Sequence, residues 1–265
     1  MHSSSAAAMA TSTSAYANAA TQREAAHTKV AVIGAGFLGK CIAIDLSLLG
    51  VQVLVCDTNA QSAAALSSFA YELLNPLLYL GYVTKSMVTQ ACSNIKIVND
   101  IRQCADTSLV IEAIPENLDA KIKLFKSLED VCSGSTVLAT STKELSIDHI
   151  QRELRRPEQF LGVRFFHPCV LVRPVEISLG AQTAQHTVDH TVSFLMLLDK
   201  VPHRGPTKRV LSNKEISAFQ FNTAVRGNFY HGLLAPKPLA VDDIIRGEPG
   251  PPLLSPNYNT DKTTL

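Results

Sequence analysis

The sequence predicts an α/β fold built on a doubly wound parallel sheet, and three observations carry that prediction. Short runs of β-branched apolar residues recur along the chain, amphipathic helical stretches alternate with them, and a glycine-rich turn joins the first run to the first helix. Lys29 to Ile33 (KVAVI) has the continuous apolar character of a strand covered on both faces. A helix follows from about Phe37 to Leu49, Gly50 ends it, and Val51 to Cys56 (VQVLVC) forms the next strand, which completes one βαβ unit. Residues 60 to 93 are expected to be helical, because Leu66, Phe69, Leu73 and Leu74 recur at helical spacing; Pro76 and Gly81 are expected to interrupt the pattern. Strands are then predicted at Ile95 to Val98, Ser108 to Ala113, Thr136 to Thr140, Phe160 to Phe166 and Val175 to Ser178. Helices are predicted from about Leu118 to Val131, from near Ser146 to before Pro157, and from Ala184 to Leu198. Past Pro202 the pattern weakens.

The turn after the first strand is Gly34-Ala35-Gly36-Phe37-Leu38-Gly39, a complete GxGxxG. Gly34 permits the tight turn, Gly36 lets backbone approach a pyrophosphate, and Gly39 lets helix and strand pack closely. The helix N-terminus, including Phe37 and Leu38, then offers amide hydrogens and a positive dipole end to phosphates. Such a motif alone is weak. Here a strand precedes it, an amphipathic helix follows it, and Asp57 ends the second strand 18 residues past Gly39. This is the pattern of a Rossmann-type dinucleotide-binding domain. Asp57 selects NAD, since its carboxylate accepts from ribose hydroxyls and repels the extra phosphate of NADP. Thr58 and Asn59 supply no arginine to neutralise such a phosphate.

Composition bounds the rest. The chain has 265 residues, 46% hydrophobic and 18% charged, which is globular, and its net charge of +1 offers no broad basic field for nucleic acid. No apolar run is long enough to span a membrane. Six cysteines are scattered without a CxxC pair or a His–Cys cluster at metal spacing, so they are expected to be free thiols in a reducing compartment, and no metal site is expected. Residues 1–27 are rich in Ser and Ala, with no acidic residue before Glu24 and only Arg23 as a strong base. A disordered extension is expected there, with a mitochondrial presequence as the alternative to a cytoplasmic protein, and Met9 as an alternative start. The dinucleotide-binding domain is assigned to 28–205, a short, reduced α-helical C-terminal part to 206–240, and a Pro-rich tail to 241–265, where six prolines lie between Pro236 and Pro256.

Beyond the glycine turn, the stretches Val110 to Lys121 (VIEAIPENLDAK), Gly162 to Pro168 (GVRFFHP) and Val175-Glu176 resemble the 3-hydroxyacyl-CoA dehydrogenase family. The resemblance runs from about Lys29 to Ser178 and more faintly to Asn222. It implies that Glu112, Glu116 and Lys121 contact the nicotinamide half of NAD; the alternative is a helix cap with solvated charges. It also implies hydride transfer from a 3-hydroxyacyl-CoA to NAD, assisted by a histidine base, a glutamate that orients it, and a serine and an asparagine that hold the substrate oxygen. Glu176 matches the glutamate and Asn222 the asparagine, although Ser217-Ala218 replaces the family's Pro-Gly pair before that position. Arg164 stands in the place of the histidine and Lys143 in the place of the serine. A guanidinium stays protonated at any working pH and cannot accept the proton.

Three readings follow from that departure. In the first, a rearranged base, with His167 the candidate, retains 3-hydroxyacyl-CoA oxidation; His167 lies three positions from Arg164, an odd offset that faces the opposite side of a strand. In the second, the chain is a catalytically silent NAD-binding module in which Glu176 pairs with Arg164. In the third, the two cations meet a carboxylate or phosphate of the substrate, such as a free 3-hydroxy acid, and Lys143 is the base. The family's longer helical domain forms its dimer and covers the acyl-CoA; the residues here after Pro202 are fewer, which puts a homodimer in question. Val241 to Gly247 (VDDIIRG) is a faint trace of that domain.

Overall fold

The computed structural model describes residues 28–205. The segments assigned to an extension, a helical remnant and a Pro-rich tail lie outside the described residues, as does Asn222. Eight strands form one sheet: β1 (Lys29–Ile33), β2 (Gln52–Cys56), β3 (Ile95–Val98), β4 (Leu109–Glu112), β5 (Val137–Thr140), β6 (Phe160–Phe165), β7 (Pro174–Leu179) and β8 (Val201–Arg204). Their order is β3-β2-β1-β4-β5-β6-β7-β8. The first six are parallel, β7 runs antiparallel to β6, and β8 runs parallel to β7. The strand order reverses between β1 and β4, so a crevice opens where their C-terminal ends diverge.

Helices α1 (Phe37–Leu48), α2 (Ala60–Ala64), α3 (Leu66–Tyr79), α4 (Lys85–Ser93), α5 (Leu118–Val131), α6 (Ile147–Gln151) and α7 (Gln185–Leu197) cover the sheet. Two apolar layers result. Val30, Val32, Val53 and Val163 pack beneath α1 and α7, whereas Ala31, Val110, Leu138 and Phe160 pack beneath α5 and α6. The period of two along each strand sorts side chains between these layers. Helix α1 is apolar nearly all round because it is buried on both sides: Ile42 and Leu46 face the sheet, and Ile44 and Leu48 join Ala70, Leu74 and Val88 of α3 and α4. Within α1, Asp45 forms a buried ion pair with Lys200 at 2.6 Å, and that ammonium also donates to the carbonyl of Cys169 at 2.9 Å. The pair ties α1 to the turn that leads into β8. Among the described residues no helix is long and apolar enough to cross a membrane, and the six cysteines are free.

Three local expectations need correction. Pro76 does not interrupt its helix; it lies within α3, with both Pro76 and Glu72, the residue whose carbonyl loses its partner, on the exposed face where water can serve. Gly81 does end the segment, at φ 77°. The helix placed between Ser146 and Pro157 is only the five-residue α6. Strand β8 was hidden by its composition, since Pro202, His203 and Arg204 do not form an apolar run, yet Pro202 and His203 are buried.

Strand β8 places a histidine in the core. His203 is the register partner of Glu176, which is itself the partner of Arg164, so the three lie in one row across β6, β7 and β8. Burial pushes the imidazole of His203 down to about 4 from an ordinary 6.5, and the nearby Arg164 charge pushes the same way. Between those two values the unfolded chain binds the proton and the folded chain does not. Stability therefore rises with pH across that window and is lost as pH falls from 6.5 towards 4. The loss should be on the order of 3 kcal/mol, read as the difference in urea unfolding free energy between the two ends. His203→Val should flatten the profile; an unchanged slope in that variant would assign the dependence to other groups.

Candidate cofactor and active site

The crevice at the C-terminal edge of β2, β1, β4 and β5 is a groove of about 900 Å³. Its lining runs from Asp57 and Thr58, past Gly34, Gly36, Phe37 and Leu38, to Ala113–Glu116, Ser141 and Lys143. The glycine turn shapes its floor. Gly34 has φ 108°, and a Cβ there would lie 2.7 Å from the carbonyl oxygen of Ala113. A Cβ on Gly39 would lie 1.9 Å from the carbonyl oxygen of Gly34. Gly36, by contrast, faces open space, and no side chain caps the N-terminus of α1. The first-turn amides of α1 are thus left for an anion, as a pyrophosphate requires. Asp57 is held by two backbone donors, Ala35 N–H at 2.5 Å to Oδ2 and Asn59 N–H at 2.6 Å to Oδ1. Its carboxylate is fixed at the edge of the groove, where a ribose would hydrogen-bond to it. These residues fit NAD.

The opposite wall rests on a buried ion pair. Glu112 is fully buried; it accepts from Lys121 Nζ at 2.5 Å, from Ile114 N–H at 2.7 Å and from the Thr140 hydroxyl at 2.6 Å. Both of its oxygens are engaged by the protein, so Glu112 braces the wall and does not face the cofactor as the resemblance implied. Lys121 lines the groove while 1% exposed, and it also lies 3.5 Å from Glu116. Glu116 accepts from the Thr142 hydroxyl, from Lys143 N–H at 2.5 Å and from Glu144 N–H at 3.3 Å. Burial pushes the Glu116 carboxyl up, but those donors and Lys121 outweigh it and hold the group below the ordinary carboxylate value. Glu116 therefore pins the loop after β5. Asn117, next in sequence, caps α5 by accepting from Ala120 N–H. Thr142 and Ser141 were missed by sequence reasoning. Hydroxyls beside a conspicuous lysine were the available signal, and Ser141 proves to line the groove and donate to the carbonyl of Val163.

The β6–β7 side is different. Arg164 and Glu176 are brought together, with Nη2 3.4 Å from Oε1 and side chains 11% and 1% exposed. The Ser178 hydroxyl also donates to Glu176, at 3.2 Å. A Cβ on Gly205 would lie 2.3 Å from Glu176 Oε1, so a glycine at the end of β8 leaves room for the carboxylate. His167 lies on the other side. Val163 and Phe165 pack in the α1 layer, which turns Arg164 away from it, and the odd offset puts His167 with them. Its ring packs on Phe37 at 4.7 Å and Nδ1 lies 3.6 Å from Cys41 Sγ. Burial lowers its pKa. Lys143 is 55% exposed in the groove, 3.9 Å from Glu144. The structure thus unites Arg164 with Glu176, keeps His167 apart from both, and leaves Lys143 on the groove wall.

Removing one member of the buried wall pair should be costly. Lys121→Met strands the Glu112 carboxylate and should cost about 3–5 kcal/mol in chemical unfolding. The double variant Lys121→Met with Glu112→Gln should recover much of that loss; equal losses in the single and double variants would refute the pairing as the source.

The whole described fold matches the family model of the 3-hydroxyacyl-CoA dehydrogenase NAD-binding domain, over residues 29–204. The 3-hydroxyadipyl-CoA dehydrogenase of Escherichia coli K12 is 34% identical over 175 residues, which are 66% of this chain and 37% of that protein. The crystal structure of 3-hydroxybutyryl-CoA dehydrogenase from Escherichia coli K12 superposes with a TM-score of 0.68 at 30% identity, over 79% of this chain and 44% of that one. The structure of the Ralstonia eutropha (S)-3-hydroxybutyryl-CoA dehydrogenase superposes at 0.66 with 24% identity, over 84% and 79%. The chain spans less than half the length of the Escherichia coli relatives it matches. On the glycine turn, Asp57, the braced groove wall and these likenesses together, the chain belongs to the 3-hydroxyacyl-CoA dehydrogenase family and carries its NAD-binding domain.

Proposed function

We propose that this chain binds NAD in the groove and that its oxidation of a 3-hydroxyacyl-CoA is impaired. The observation that carries this reading is the Arg164–Glu176 pair, 3.4 Å apart. When bound, NAD supplies the hydride acceptor. Loss of a hydride from the hydroxyl-bearing carbon must be matched by loss of the hydroxyl proton, and a neutral imidazole would take it in the family arrangement. Arg164 is a permanent cation with no lone pair to offer. Glu176 is buried and paired with that cation, so it neutralises Arg164 instead of orienting a base. The pocket keeps its charge balance and loses its proton acceptor.

His167 is a poor replacement. It packs against the glycine-turn helix and away from Glu176, so no carboxylate among the described residues fixes its tautomer. A second reading, oxidation of a free 3-hydroxy acid, is favoured by one observation: the exposed Lys143 ammonium on the groove wall.

Calorimetric titration should show NAD binding by the unaltered chain, and NADH absorbance should report little or no turnover of a short 3-hydroxyacyl-CoA. Arg164→His combined with Lys143→Ser should raise that rate by about 10²–10⁴, the usual worth of a general base. Fast turnover by the unaltered chain, falling when His167 is changed to Ala, would establish the rearranged base and overturn this proposal.

A further inference from the structure

Arg164 carries more hydrogen-bonding capacity than its partners among the described residues use. Only Nη2 approaches Glu176, at 3.4 Å, while Nε and Nη1 are buried without a hydrogen-bond partner among the described residues. Buried guanidinium donors left unmatched are costly, and a structural arginine normally recruits carbonyls or carboxylates to all its nitrogens. Arg173 illustrates the ordinary solution, donating to both the carbonyl and the carboxylate of Asp199. Arg164 is not itself part of the groove lining, but it follows a residue whose backbone touches that lining. Ser141 lines it and donates at 3.1 Å to the carbonyl of Val163, the residue before Arg164. Two residues beyond Ser141, Lys143 contributes a cation to the same wall. Its backbone is pinned to Glu116, while its ammonium has only the exposed Glu144 at 3.9 Å among the described residues. Lys143 thus lines the β5 end of the groove, and Arg164, paired with Glu176, lies on β6 one residue past the Val163 carbonyl that Ser141 contacts.

We propose that Arg164 and Lys143 form a carboxylate-binding site at this end of the NAD groove, one that selects a small free keto or hydroxy acid over an uncharged acyl derivative. The inference rests on the reading that NAD occupies the groove, because the acid would lie next to its reacting end. A carboxylate supplies acceptors for the guanidinium donors and neutralises Lys143, whereas a thioester or amide carbonyl supplies one neutral oxygen. Arginine at the position where a base would stand then becomes a substrate-holding group, and Glu176 keeps it oriented across the β6–β7 ladder.

The test is calorimetry on the full chain, in three steps. NAD is titrated first; its failure to bind would refute the cofactor reading alone, and the acid arm is then judged on the protein without NAD. Acetoacetate and acetoacetamide, which differ in charge but little in size, are then titrated into the loaded protein. Acetoacetate should bind on the order of tenfold or more tightly than the amide, and Arg164→Gln should erase that preference while NAD affinity is retained. If the single variant does not fold, Arg164→Gln with Glu176→Gln removes both buried charges, and the exposed Lys143→Gln gives an independent reading, with a preference reduced by several-fold. Equal affinity for acid and amide, no binding of either, or a preference that survives both substitutions would overturn the site.

Discussion

The close approach of backbone to backbone at the first turn sets the geometry on which the groove depends. Gly34 lies against the carbonyl of Ala113 and Gly39 against the carbonyl of Gly34, each too near for a Cβ. The start of α1 is thereby drawn down onto the ends of β1 and β4, and its free amides point along the crevice. Any side chain at Gly39 would lift the helix from the sheet. The buried layer beneath α1 would open with it, since Ile42 and Leu46 share that layer with Val30, Val53 and Val163. One steric requirement therefore couples the stability of the domain to the shape of its ligand site.

Electrostatics completes the groove by the opposite means. Three carboxylates stand at or just beyond the ends of β2 and β4, on either side of β1, and each is satisfied differently. Asp57 takes two backbone donors and stays at the edge of the groove. Glu112 is fully buried and matched by Lys121, Thr140 and a backbone amide. Glu116 gathers the loop after β5. A buried pair such as Glu112–Lys121 adds little net stability over an apolar pair, because desolvation offsets attraction. It does fix where the wall stands. The groove's shape is held by groups that cannot move without stranding a charge.

Much of this was legible in the sequence, and the reasons are particular. The GxGxxG turn and Asp57 were readable because their spacing is dictated by one βαβ unit. The apolar runs of β1, β2 and β4 were readable because both sheet faces are covered. The pairing of Arg164 with Glu176 belonged to only one of three readings open in the sequence, and the register of β6 and β7 brings the two together. What could not be read depends on contacts distant in sequence. Strand β8 carries a proline, a histidine and an arginine, and only its place beside β7 explains their burial. The second oxygen of Glu112 is engaged by Thr140, 28 residues away. Pro76 was misjudged because the rule against helical proline weakens where the orphaned carbonyl faces water.

The two halves of the site differ in what they are made of, and that difference governs how each can change. The cofactor half is mostly backbone: glycine Cα atoms, helix amides and a carboxylate clamped by peptide N–H groups. Substitution there meets steric refusal, as at Gly39. The β6–β8 side is three side chains in a row, Arg164, Glu176 and His203, on strands whose backbone ladder is indifferent to their identity. Exchanging one buried charge-bearing group for another in that row conserves the sheet, provided the charges still balance. With Glu176 beside it, the Arg164 charge is balanced within that row. His203, kept neutral by burial, adds no further charge. A dinucleotide groove can in this way hold its geometry independently of the side chains next to it, because backbone builds one and side chains the other.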